Sequence, residues 1–239
     1  MENIQWLFFD VGSTLVDESK VYEERMKTVA ETANVSFEYV FQTALGFYKE
    51  NKKGDLETMK LLKVEKPIWR HEYEMLYCDT EACLKELSEK YRIGVIANQS
   101  PGTEQRLKAF GMLQYINLVI ASAEEGVAKP DRRIFEIALD RAGCKPQHAV
   151  MVGDRIDNDI IPAKALGMKT IWIKQGFGKY WKKSSECEQA DYEVHNLTEI
   201  LDIVQITSTQ LPLRLCLGSN TFRKYSAPNI RNCPEITCK

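Results

Sequence analysis

The sequence has little that would tie it to a membrane, a metal cluster or a nucleic acid. Its 239 residues carry 32 Lys and Arg against 34 Asp and Glu, a net charge of −2. That balance excludes the strongly basic surface a polyanion partner requires. The apolar run Trp6–Phe9 is far too short to cross a bilayer, and no basic-plus-apolar leader precedes it. The expectation is a cytoplasmic protein with no membrane and no nucleic-acid partner. Only three histidines are present, and the seven cysteines, at 78, 83, 144, 187, 216, 233 and 238, form no CxxC pair. An odd, scattered set reads as free thiols, with no disulfide frame or zinc site. Internal repeats are missing too. What remains is an ordinary globular composition, 44% hydrophobic and 28% charged, long enough for one large domain or two small ones.

From about Tyr91 onward, short apolar runs alternate with helical patterns. Strands are expected at Ile93–Ala97, Leu118–Ala121, Ala149–Val152 and Thr170–Ile173. Helices are expected at Thr103–Phe110, at Arg132–Ala142 after a capping Asp131, and at Asp159–Leu166, each stopped by a glycine. This alternation implies βαβ units on a parallel sheet. Residues 18–79 show helical periodicity and no convincing strand, which suggests a helical insertion lying over the ligand edge of the sheet. The resulting division is a core of residues 1–16 and 80–204, a cap of 17–79, and a poorly ordered tail of 205–239.

The stretch IQWLFFDVGSTLVD, residues 4–17, carries the most information. An apolar run bounded by a Gly/Ser/Thr turn suits a strand buried on both faces. Asp10 stands at its C-terminal end, where open α/β sheets place ligands. Three more features follow at predicted strand ends: Asn98 in VIANQS, Lys129 in GVAKPD, and Asp154 with Asp159 in VGDRIDND. This ordered set resembles the haloacid dehalogenase superfamily of hydrolases, most of whose members are phosphatases, over roughly residues 4–204.

The resemblance implies a Rossmann-like parallel sheet core with an inserted all-helical cap, and a Mg²⁺-dependent enzyme. Asp10 would be the nucleophile, forming an acyl-phosphate. Asp10, Asp154 and the backbone carbonyl of Gly12 would hold Mg²⁺, a hard ion that prefers oxygen. Lys129 would neutralise the nucleophile and phosphoryl group, and Asp159 would support Lys129 or a metal-bound water. Asn98, Ser13 and Thr14 would bind phosphate. Asp157 is expected to cap the following helix. The partner implied is a small phosphorylated metabolite, and the chain a monomer or homodimer.

Two positions depart from the family pattern. Phosphatases of this superfamily place an Asp two residues after the nucleophile as general acid and base, and here that residue is Gly12. Ala97 stands where a Ser or Thr is usual before Asn98. The expected consequence is impaired general acid/base catalysis, with good leaving groups favoured. Alternatives are a pseudoenzyme that binds metal and phosphate, or a hydrolase of C–P or C–halogen bonds on the same scaffold. The C–P reading would use a cap lysine among Lys49, Lys52 and Lys53, although a solvated helix end explains that cluster more simply. Phe47, Tyr48, Trp69 and Tyr73 read mainly as cap core, and His71 as a surface or packing residue. The segment 176–183, GFGKYWKK, is expected beside the active site, bringing Lys179 or Trp181 near the cap.

Overall fold

Leu7, Phe8 and Phe9 have no exposed surface, and Trp6 almost none. They form the first strand, β1 (Trp6–Phe9), of a computed structural model that describes residues 3–206. Leu7 and Phe9 join one hydrophobic cluster while Trp6 and Phe8 join another. Period-2 alternation thus fills both faces of the strand, as the unbroken apolar run requires.

The chain then forms β2 (Val16–Asp17), α1 (Ser19–Ala33), α2 (Phe37–Tyr48), α3 (Gly54–Leu62), β3 (Met75–Leu76) and α4 (Thr80–Ser88). After these come β4 (Arg92–Ala97), α5 (Thr103–Ala109), β5 (Leu118–Ala121), α6 (Ser122–Glu125) and α7 (Arg132–Ala142). The last elements are β6 (Ala149–Gly153), α8 (Ile161–Ala165), β7 (Lys169–Ile173), β8 (Tyr192–Val194) and α9 (Thr198–Ile206). Six strands make one parallel sheet in the order β5-β4-β1-β6-β7-β8. The sheet and its covering helices form the Rossmann-like core, and α1–α3 form the helical insertion. No helix among the described residues is long and apolar enough to cross a membrane.

Local chemistry explains the element ends. Asp131 accepts a hydrogen bond from the backbone N–H of Arg133 and caps α7, which Gly143 ends in the left-handed region. Ser36 caps α2 through the N–H of Tyr39. The insertion's own core gathers Met26, Val29, Val40, Ala44, Tyr48 and Met59.

Four details differ from the sequence expectations. The insertion is helical, but its junction is a two-residue antiparallel ribbon, Val16 with Leu76 and Asp17 with Met75. A strand that short leaves no periodicity to read. The helix expected at Asp159–Leu166 is instead a π-helical turn at Ile156–Ile160 leading into α8, with Pro162 near the start of the α-helix. Asp157 caps nothing: Arg155 grips it through Nε at 2.9 Å and Nη2 at 2.7 Å. Helix α9 reaches Ile206, two residues past the expected core boundary, and the rest of the 205–239 tail lies outside the described residues.

Candidate active site

Strand order decides which side chains meet. β1 lies between β4 and β6, so Asp10, Asn98 and Asp154 leave the same sheet edge from three adjacent strands. The N–H of Asp10 still bonds the carbonyl of Val152 at 2.9 Å, which holds the two acidic strand ends side by side. Lys129 comes over from the loop between α6 and α7.

Lys129 is almost fully buried and all three of its ammonium hydrogens have acceptors. These are Asp10 Oδ1 at 2.8 Å, Asp159 Oδ1 at 2.6 Å and the carbonyl of Ile96 at 2.8 Å. Burial works against its charge, but Asp10 and Asp159 outweigh that and hold its pKa above the usual lysine value. Asp159 uses its other oxygen to accept from the N–H of Arg155 at 2.9 Å. Burial pushes the Asp159 carboxyl up to about 6, against the pull of Lys129.

Asp154 is the group with least support. It is buried, and no hydrogen-bond donor or ion-pair partner among the described residues reaches its carboxylate. Desolvation, then the charges of Asp159 and Asp10, raise its pKa well above the ordinary carboxylate value. Ligand oxygens of Asp10, Asp154 and Asp159 lie within 4.8 Å of one another. Three carboxylates with one ammonium leave an excess of negative charge. A hard divalent cation matches this all-oxygen donor set and supplies the missing charge.

Asn98 is turned toward Lys129. Its Nδ2 donates to the Lys129 carbonyl at 2.8 Å, and its Oδ1 accepts from the Lys129 N–H at 2.7 Å. It therefore braces the lysine backbone, with one amide hydrogen left for a ligand. Ser13 has a positive φ of 55° and donates through Oγ to Glu18 Oε2 at 3.3 Å. Thr14 does not fit its expected phosphate-binding part. It is fully buried, its hydroxyl has no partner among the described residues, and it is absent from the cavity wall. The tight turn, in which the N–H groups of Leu15 and Val16 both bond the Val11 carbonyl at 2.9 Å, buries that side chain.

A cavity of about 380 Å³ opens above these groups. Its floor includes Asp10, Gly12, Ser13, Asn98, Lys129 and Asp154, and its roof comes from the insertion. Arg25 is buried there in an ion pair with Asp55 at 2.8 Å, its guanidinium 4.5 Å from the Trp69 ring centre. Tyr48 donates to the same Asp55 at 2.9 Å. The Nε–H of Arg25 has no acceptor among the described residues.

Trp69 and Tyr48 therefore face the cavity, whereas Phe47 and Tyr73 do not line it. His71 does more than pack. It lines the cavity and bridges Glu74 at 2.7 Å to Ser100 across from it at 3.0 Å. Of the cap lysines, Lys53 reaches the wall, while Lys52 folds back onto Glu50 at 2.7 Å. The 176–183 segment meets the insertion through Phe177, stacked on Tyr48 at 4.2 Å, and through Lys182, whose N–H and carbonyl both bond Asn51 at 2.8 Å. Lys179 shares the wall of a second cavity with Tyr22, Met26, Phe37 and Phe41 of the insertion, whereas Trp181 packs on Ile156, Ile160 and Trp172 and donates through Nε1 to Glu188 at 3.1 Å. A Cβ on Gly178 would run into the Asp154 carbonyl, so the close approach of this loop needs glycine there.

The sequence reading missed several cavity residues, among them Arg25, Asp55, Lys66 and Glu18. Glu18 stands at the N-cap of α1, yet its side chain makes no capping hydrogen bond and turns inward to 8% exposure. Asp17 bonds the Ser19 N–H at 2.8 Å instead. Burial, then the nearby charges of Asp10 and Glu74, push the Glu18 carboxyl up to about 8. A Glu before a helix resembles any acid at a helix start, and nothing in the sequence marks this one.

Residues 7–173 match the haloacid dehalogenase-like hydrolases. The chain belongs to that family. It is 31% identical over 229 residues to a glyceraldehyde 3-phosphate phosphatase of Pyrococcus furiosus, covering 86% of this chain and 95% of that one. A second enzyme of that name, from Pyrococcus abyssi, is 31% identical over 72% of this chain and 82% of its own length. Among solved structures, a haloacid dehalogenase phosphatase of Thermococcus onnurineus superposes with a TM-score of 0.60 at 24% identity, covering 84% of this chain and 98% of that chain. A magnesium-bound haloacid dehalogenase hydrolase of Bacillus subtilis gives 0.61 at 18%, covering 85% and 99%. As a haloacid dehalogenase-like hydrolase with phosphatase relatives, the chain is a phosphatase-like enzyme.

Proposed function

We propose that this protein is a Mg²⁺-dependent phosphatase of a small phosphorylated metabolite, working through an acyl-phosphate on Asp10. The observation that carries the reading is the convergence of Asp10, Asp154 and Asp159 around the buried ammonium of Lys129. Asp10 is the only one of the three acids with appreciable side-chain exposure, 13%; Asp159 has none. It is the carboxylate a phosphorus atom in the cavity can approach.

Asp10 and Asp154, with the Gly12 carbonyl, would hold the cation, which supplies positive charge against the phosphoryl oxygens. Lys129 offsets the charge of Asp10 and of the phosphoryl group, and Asp159 and Asn98 fix its position. The Ser13 hydroxyl and the remaining hydrogen of Asn98 would serve the phosphate, whereas the Ser13 N–H is already bonded to the Val16 carbonyl at 2.8 Å. Position 12 offers neither a proton donor nor an acceptor.

Residues 17–79 act as the cap over the core of 1–16 and 80–204. The cap wall of Arg25, Lys53, Lys66, Trp69 and His71 suits the polar remainder of a small ester. The phosphatase names of the relatives agree with this substrate class.

The reading is tested by assaying a panel of phosphate esters and anhydrides with Mg²⁺ and with EDTA, on the parent and on Asp10→Asn. Phosphate release should require Mg²⁺ and fall by at least about 10³-fold in Asp10→Asn. Turnover that survives that substitution removes Asp10 from the chemistry.

A further inference from the structure

The space beside Gly12 is already filled. A Cβ built on Gly12 would stand 2.7 Å from the carboxyl carbon and Oε2 of Glu18, and nearer still to Oε1. A side chain at position 12 would have to point where the Glu18 carboxyl now lies. That carboxyl lines the same cavity as Asp10, Lys129 and Asp154. Its one hydrogen bond comes from Ser13 Oγ at 3.3 Å, to Oε2, so Oε1 has no protein partner among the described residues.

From this overlap we propose that Glu18 is the general acid and base of the reaction, delivering from the first turn of the cap the carboxyl that residue 12 lacks. The assignment rests on the phosphatase reading of the same site and adds a residue to it. In the first step an Asp10 oxygen bonds to phosphorus as the bond from phosphorus to the ester oxygen breaks. The electron pair stays on the ester oxygen, which takes the proton of Glu18 and leaves as the alcohol. In the second step the Glu18 carboxylate removes a proton from water as the water oxygen bonds to phosphorus. The bond from phosphorus to Asp10 breaks, inorganic phosphate leaves, and Glu18 is again protonated.

The experiment compares the parent with Glu18→Gln on alkyl phosphates and on aryl phosphates of graded leaving-group acidity, with Mg²⁺ present. A lost general acid should lower alkyl-ester turnover by about 10²–10⁴-fold. Formation of the phosphoenzyme from p-nitrophenyl phosphate should change far less, because nitrophenolate needs no proton to depart. Loss of the base should then make the phosphoenzyme accumulate. A burst of one nitrophenolate per active site, with one phosphoryl group on Asp10 by mass spectrometry, reads this directly.

The double variant Glu18→Ala with Gly12→Asp guards against simple misfolding. It empties the space and returns a carboxyl from the other side, and should recover alkyl-ester turnover relative to Glu18→Ala alone. If Glu18→Gln keeps the parent's alkyl turnover and leaving-group dependence, Glu18 is not the acid, although the phosphatase reading stands. A variant that slows both ester classes equally, with no phosphoenzyme and no recovery in the double variant, also overturns the assignment. If the parent itself shows no turnover dependent on Asp10, the phosphatase reading falls and takes the assignment with it.

Discussion

Asp154 and Lys129 show how unevenly the site distributes support. Lys129 has every hydrogen satisfied, whereas Asp154 is buried with no donor to its carboxylate among the described residues. With no cation bound, ionising Asp154, Asp159 and Glu18 in the folded state works against folding. Their folded pKa values are raised, to about 6 for Asp159 and about 8 for Glu18, above the ordinary carboxylate values of 3.8 and 4.5. The folded state then binds more protons than the unfolded one, so stability falls as pH rises across that interval. In EDTA, the Tm should therefore drop between pH 6 and pH 8.5, and Mg²⁺ should restore it at the higher pH. Asp154→Asn should raise the Tm in EDTA relative to the parent, by more at pH 8.5 than at pH 5, and should abolish the Mg²⁺ response. A Tm in EDTA that is flat or rising over the interval contradicts this. The acids at strand ends were legible because strand, turn and spacing each leave a pattern. Glu18 was not, since only the fold reveals that Gly12 and Glu18 share one volume.

Two glycines show how an element's surroundings decide a substitution. Gly178 sits in the segment between β7 and β8, where an added Cβ would meet the Asp154 carbonyl. Gly46 lies on the exposed side of α2, where nothing stands within 4 Å of an added Cβ. Gly178→Ala should destabilise by about 1–3 kcal/mol through overpacking and weaken the Mg²⁺ response. Gly46→Ala should stabilise by about 0.5–1 kcal/mol through helix propensity alone. Urea unfolding of both variants, with fitted midpoints, measures the contrast; equal effects of the same sign would refute it. The sequence could not separate these two, because contact across 24 residues from Gly178 to Asp154 has no local signature. The same limit applies to β3, too short for a period, and to the π-turn at Ile156–Ile160, which resembles an ordinary helix start.

Across residues 3–206, the insertion and the sheet behave as parts of one compact unit. Polar and aromatic links join them at separate points: His71 to Ser100, Asn51 to Lys182, and Tyr48 to Phe177. Urea unfolding should therefore be a single transition for this body. Tryptophan fluorescence, from Trp69 in the insertion and Trp6 and Trp172 in the core, should coincide with far-ultraviolet circular dichroism. Separated midpoints would show that the two parts melt apart. The parallel sheet and the place of the insertion were readable from alternation and from the change of period after Asp17. The links were not, because each pairs residues far apart in the chain that carry no distinguishing pattern of their own.

The junction ribbon ends at Asp17, and Glu18 is the next residue. Its carboxyl is consequently anchored to the neck of the insertion, while Asp10 is anchored to the central strand. Any tilt of the one part against the other would change the gap between them, making the neck's posture a dial on proton delivery.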